Sequence, residues 1–183
     1  MRDLMIDIET LGSRPSSVIL SIGAVYFDAE TGELGKEFYA AIKPSSCIEA
    51  GLTTDIDTML WWMKQSTEAQ DAAFSGDRFL AGVLGEFGLF AVAGSPARVW
   101  AKPPSFDLVL LEAAMRACKL SPPWHFRTHR DCRTLFDITG VSQPTVGVAH
   151  NALDDAKAQA AGVIEAYRLL ANTPSPQPRE AGQ

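Results

Sequence analysis

Leu4-Met5-Ile6-Asp7-Ile8 is a short apolar run broken by an acid, and Glu9-Thr10 directly after it puts a second acid two positions further on. Val18 to Phe27 (VILSIGAVYF) is rich in β-branched, apolar and aromatic residues, the composition of a buried strand. Asp28-Ala29-Glu30-Thr31-Gly32-Glu33 is a turn cluster, and Lys36 to Lys43 (KEFYAAIK) reads as the strand returning from it. The opening unit is therefore three antiparallel strands. On the first of them Asp7 and Glu9 point to one face, because side chains alternate along a strand.

Helical periodicity follows. Asp55 to Gln65 (DIDTMLWWMKQ) predicts one helix with acids in its first turn, and Asp77 to Val92 predicts a longer, apolar-faced one ended near Gly94 and Pro96. Arg98-Val99-Trp100-Ala101 reads as a short strand stopped by Pro103-Pro104. Ser105 is placed to cap a helix from Phe106 to about Cys118. A short helix is expected near Asp131 to Phe136, after a loop containing Pro122-Pro123. The last helix, from about Asn151 to Leu170, carries the stripe Leu153, Ala156, Ala160, Val163 and Tyr167. Strands first, then alternating helix and strand, predict an α/β fold with a mixed sheet flanked by helices. The domain is expected over 1–171, and residues 172–183, with three prolines and no aromatic, read as a disordered tail.

At 183 residues the chain can bury a large core without disulfides or a structural metal. Hydrophobic residues at 46% and charged residues at 21% are ordinary for a globular protein and exclude a disordered one. No apolar run reaches membrane-spanning length. The start, Met1-Arg2-Asp3, puts charges where a secretory leader needs apolar residues. Cys47, Cys118 and Cys132 form no Cys-x-x-Cys and read as reduced thiols of a cytoplasmic protein.

Three groups of carboxylates stand out. Asp7 and Glu9 are either a solvated acidic face on an edge strand or two like charges that a cation must neutralise. Asp107 sits in the first turn of a helix just past the end of a strand, where it either complements the helix dipole or faces a ligand. In His150-Asn151-Ala152-Leu153-Asp154-Asp155, Asp155 opens the last helix facing inward, Asp154 serves as a solvated early-turn acid, and His150 lies in the preceding loop. An ordinary capped helix start is the plain alternative. Together the three say more than each alone. An oxygen-rich set of this kind suits Mg²⁺ or Mn²⁺. Two such ions about 3.5–4 Å apart clamp the attacking and leaving oxygens of a phosphoryl displacement. A His is a fitting base for the attacking water.

Asp7-Ile8-Glu9-Thr10, Ser105-Phe106-Asp107 and His150 to Asp155, in that order, resemble the motifs of the DEDDh group of 3′–5′ exonucleases in the ribonuclease-H-like superfold. Within that group the chain is most similar to the small phage and bacterial exonucleases related to exonuclease VIII and the mycobacterial exoribonuclease. Trp61-Trp62 and Asp131-Cys132-Arg133-Thr134-Leu135 support the resemblance, which covers about residues 3 to 171. It implies that Asp7 bridges two divalent cations, Mg²⁺ or Mn²⁺. It further implies that Glu9 and Asp155 complete the site that activates water, that Asp107 supports the second cation, and that His150 is the general base. It implies that the backbone at Thr10, with Leu11 beside it, holds the 3′-terminal nucleotide, and that Ser105, Phe106 and Arg133 lie on the substrate path. The product would be nucleoside 5′-monophosphates, released from single-stranded RNA or DNA 3′ ends. Relatives that pair imply a homodimer. The stretch Ala101-Lys102-Pro103-Pro104 departs from the Asn or Gly common before Phe-Asp, and puts Lys102 in reach of a phosphate.

Other features carry less. His125 and His129 lack the Glu of His-Glu-x-x-His and lie among arginines, so a surface loop is favoured over a zinc pair. Adjacent Trp61 and Trp62 must face different ways, one into the core and the other toward substrate or a second copy. Two rival functions remain, a non-cutting nucleic-acid-binding module and a proofreading partner of a polymerase. The net charge of −6 argues against a protein that coats nucleic acid, but it is unevenly spread. Residues 28–77 hold ten acids and three bases, whereas residues 98–133 hold seven bases and three acids. That basic stretch flanks Asp107 and leads toward His150, as a phosphate track would.

Overall fold

In the computed structural model, which describes residues 1–172, β1 (Asp3–Thr10), β2 (Ile19–Phe27) and β3 (Leu34–Ala41) form the expected antiparallel set. β4 (Arg98–Ala101) and β5 (His129–Asp131) join in parallel on the other side of β1, giving the order β3-β2-β1-β4-β5. β1 is central, which removes the edge-strand reading of its acids. The flanking helices are α1 (Pro44–Glu49), α2 (Ile56–Trp62), α3 (Thr67–Phe74), α4 (Leu80–Ala93), α5 (Asp107–Ala117), α6 (Cys132–Thr139) and α7 (Ala152–Asn172). The mixed α/β sheet predicted from the sequence is the observed fold.

Alternation along β1 sorts the layers. Leu4, Ile6 and Ile8 pack on one face with Leu80, Val83, Leu84 and Phe87 of α4 and Leu108, Leu111 and Met115 of α5. Met5 faces the other way, into a second cluster with Phe27, Trp100, Phe136 of α6 and Ala156, Ala160 and Val163 of α7. Each fully buried Leu, Ile or Phe contributes roughly 1.5–3 kcal/mol. Asp3 is buried at the start of β1, where Arg98 and Trp100 of β4 donate to it at 2.5, 2.8 and 2.8 Å. With all its charge-assisted bonds made, this pair locks β4 against β1.

Several elements differ from expectation. The helix expected over 55–65 is the shorter α2, because Asp55 is its cap and accepts from Asp57 and Thr58 N–H. α1, α3 and β5 are additional; α3 is capped by Ser66, and β5 is a three-residue edge strand. α7 continues to Asn172, one residue into the expected tail, and the rest of that tail lies outside the described residues.

Candidate active site

β4 pairs with β1 only as far as Met5, because the chain turns away at Lys102-Pro103-Pro104. The N–H of Ile8, beyond that pairing, donates instead to Asp107 Oδ1 at 3.2 Å. Asp107 is the first residue of α5 and is 2% exposed. Ser105 is not the cap of this helix, contrary to expectation. The cap position is Phe106, which makes no side-chain bond, and the turn is closed by Phe106 and Asp107 N–H donating to Pro103 O at 3.0 and 3.3 Å. The two prolines already set that turn, and Ser105 points to solvent.

The last acid is delivered by α7. Asn151 Oδ1 accepts from Leu153 and Asp154 N–H and so starts the helix. Asp154 is not simply solvated: its Oδ2 accepts from Val148 N–H at 2.9 Å and fixes the loop before His150. His150 has a left-handed backbone (φ 65°), and its N–H donates to Asp155 Oδ2 at 3.1 Å. Ligand atoms of Glu9, His150 and Asp155 lie within 4.8 Å of one another. Gly23 of β2 lies under this helix start, where a Cβ would come 2.1 Å from the Ala152 carbonyl carbon and 2.2 Å from Leu153 N. Trp62 is buried and donates to Thr10 O at 2.9 Å, whereas Trp61 is 41% exposed, with its ring edge-on to His150 at 4.8 Å. The exposed tryptophan is thus beside the site.

These groups line an open cleft of about 530 Å³ with Lys102, Pro103, Phe106, Arg133, Gln143 and Gln159. Burial, then Asp107, Glu9 and Asp155, hold the Asp7 carboxyl well above the usual range, although a bond from Gln159 works the other way. Burial, with Asp155 and Asp107, pushes Glu9 up to about 8. Burial pushes Asp107 up to about 7 against the opposing pull of the Ile8 and Lys102 backbone and Arg133, and Asp155 is raised by burial too. Four carboxylates are therefore crowded into one site at a cost that divalent cations relieve. The donors are hard oxygens with one imidazole, which fits Mg²⁺ or Mn²⁺. Gln159 Oε1, buried and without a hydrogen bond from the described residues, is a further acceptor that a hydrated cation suits.

Asp7, Glu9, Asp107, His150 and Asp155 are thus brought together, with Lys102, Phe106 and Arg133 on the same cleft. Thr10 and Leu11 are not on its wall: the Thr10 hydroxyl donates to Gly12 O, and Leu11 packs in the core. Sequence reasoning missed Gln143, which accepts from Lys102 Nζ, and Gln159, which donates to Asp7 Oδ1 at 2.7 Å. Only the four-residue step from Asp155 to Gln159 on one helix face could have pointed to the latter. His125 and His129 do not converge on a metal: His125 Nδ1 accepts from Arg127 N–H, and His129 packs edge-on to Trp124 near Glu112.

The fold is shared with solved exonucleases. Exonuclease I without ligand superposes with a TM-score of 0.65 at 15% identity, over 92% of this chain and 43% of that one. Cell-death related nuclease 4 (CRN-4) gives 0.65 at 15% identity, over 91% of this chain and 64% of that one. Exonuclease I of E. coli with a dT13 oligonucleotide gives 0.64 at 16% identity, over 93% and 41%. The chain thus spans about two fifths to two thirds of the length of these structures. Residues 2–167 match the model of the Rv2179c-like 3′–5′ exoribonuclease domain, and the chain belongs to that family. No curated protein matches it in sequence.

Proposed function

We propose that the chain is a DEDDh-type 3′–5′ exonuclease that shortens single-stranded nucleic acid to nucleoside 5′-monophosphates. The observation that carries this reading is the convergence of Asp7, Glu9, Asp107, Asp155 and His150 on one cleft flanked by Lys102 and Arg133. Asp7, Glu9, Asp107 and Asp155 would hold two divalent cations, which supply Lewis-acid stabilisation of phosphoryl charge and lower the pKa of bound water. His150, fixed by its backbone bond to Asp155 and backed by Trp61, takes the proton of the attacking water. Lys102 and Arg133 meet the phosphates as the scissile bond is seated. Phe106 offers a ring edge to the terminal nucleotide, while Thr10 and Leu11, off the cleft wall, anchor the end of β1 through bonds to Trp62, Val18 and Asp55. Free Cys47, Cys118 and Cys132 suit a reducing cytoplasm.

The family description favours RNA as substrate, whereas the exonuclease I complex holds DNA. Single-stranded RNA and DNA of one sequence, labelled at the 5′ end, are incubated with Mg²⁺, Mn²⁺ or chelator. A ladder shortening from the 3′ end only with metal is expected. Internal cuts, or cutting in chelator, refute the reading, and the two rates set the sugar preference.

A further inference from the structure

Gln159 is a neutral residue inside a carboxylate site. It lies one helical turn after Asp155 on α7, so both side chains leave the same face of that helix. It is 4% exposed, lines the cleft, and donates from Nε2 to Asp7 Oδ1 at 2.7 Å across 152 residues of chain. Asp7 belongs to β1, and Asp155 to α7. The amide is therefore a direct polar link between the two elements inside the site. α7 delivers one acid itself and holds the other through this amide.

We propose that Gln159 is a positioning residue for the divalent-cation site. Its N–H holds Asp7 Oδ1 in one rotamer, which leaves Oδ2 and the second lone pair of Oδ1 for the cleft. A carboxylate that must serve two cations needs both oxygens aimed, and a lone aspartate on a strand rotates freely about its second torsion. The opposite end of the amide, Oε1, accepts a hydrogen bond, and the hydration water of a cation at Asp7 is a donor of the right chemistry. Both ends of one side chain then act on the site without touching the substrate.

This inference rests on the reading of the cleft as a cation site, and the test separates the two. The protein is stripped with chelator and titrated with Mn²⁺, following the electron paramagnetic resonance signal of the free ion, while melting in chelator reports the fold. Gln159→Met keeps length and apolar bulk but has no N–H. Gln159→Asn keeps the amide but is one methylene too short to reach Asp7. Both variants are expected to melt cooperatively in chelator and to lose about tenfold or more in Mn²⁺ affinity. Wild-type affinity in either folded variant overturns the positioning role, and failure of both to fold assigns Gln159 to the core instead. Asp7→Asn is the control. If it binds Mn²⁺ as the wild type does, the cation site itself is misassigned; if it alone loses binding, only the role of Gln159 falls.

Discussion

Asp7 is surrounded by Glu9, Asp107 and Asp155, and every one of these acids is held toward its neutral form by burial. Removing one changes stability and catalysis in opposite directions. Asp7→Ala and Asp155→Ala are expected to lower 3′-end hydrolysis by roughly a thousandfold, on the order of 4 kcal/mol of transition-state stabilisation. The same variants should melt no lower than the wild type in chelator, because a buried like charge has gone. Parallel activity and melting measurements check both halves, and wild-type hydrolysis in either variant removes that residue from the site. That Asp7, Glu9, Asp107 and Asp155 share one cleft was legible in sequence because acids on a buried strand or at a helix mouth break the apolar pattern around them, and His150 came with the motif that holds Asp155. Gln159 was not legible, since a glutamine on a long helix is ordinarily solvated. Asp154 was misjudged for the same reason: a helix-start acid gives no sign that its partner is a loop N–H before His150.

At the scale of elements, the approach of β2 to α7 decides where His150 and Asp155 sit. Gly23 is there because no Cβ fits under Ala152 and Leu153. Gly23→Ala must push the first turn of α7 away from the sheet, at a cost of about 1–3 kcal/mol. Hydrolysis is expected to fall by more than the melting shift alone would produce, and a variant with full activity would show that the helix start is not held by this contact. β1 to β4 and the long helices were readable from apolar periodicity and proline stops. β5 was missed because His129-Arg130-Asp131 has no apolar alternation and lies at an edge. α1 and α3 are too short to display a period. Ser105 had the right chemistry for a cap but the wrong place, one residue short of a turn that the prolines already set.

For the whole molecule, four of the 22 acids converge on one cleft, and this gives stability an unusual pH dependence. Glu9 is raised to about 8 and Asp107 to about 7 in the folded chain, whereas both ionise near 4 when unfolded. Between these limits the folded protein holds protons that the unfolded chain has released, so cation-free stability falls as pH rises from about 4.5 to 8. Cations replace those protons. At a hundredfold excess over Kd they contribute about 2.7 kcal/mol, or about 5–10 °C in Tm for a chain of this size. The Mn²⁺-induced rise in Tm should therefore be larger at pH 8 than at pH 5.5, and an equal or reversed rise would place the cations elsewhere. No helix among the described residues is long and apolar enough to cross a membrane.

The position of α7 at the end of the described chain has a consequence for biosynthesis. β1, with Asp7 and Glu9, leaves the ribosome well before its partners: β4 follows about ninety residues on, and Asp155 and Gln159 about fifty later still. A nascent chain that stops before His150 has at most three of the four acids that line the cleft, and neither His150 nor Gln159. It cannot cut. Competence appears only when the final helix docks on β2 at Gly23, a contact of large sequence separation that forms slowly. On the reading proposed above, the enzyme stays inert until α7 is made, and ribosomes that release it early yield inactive fragments.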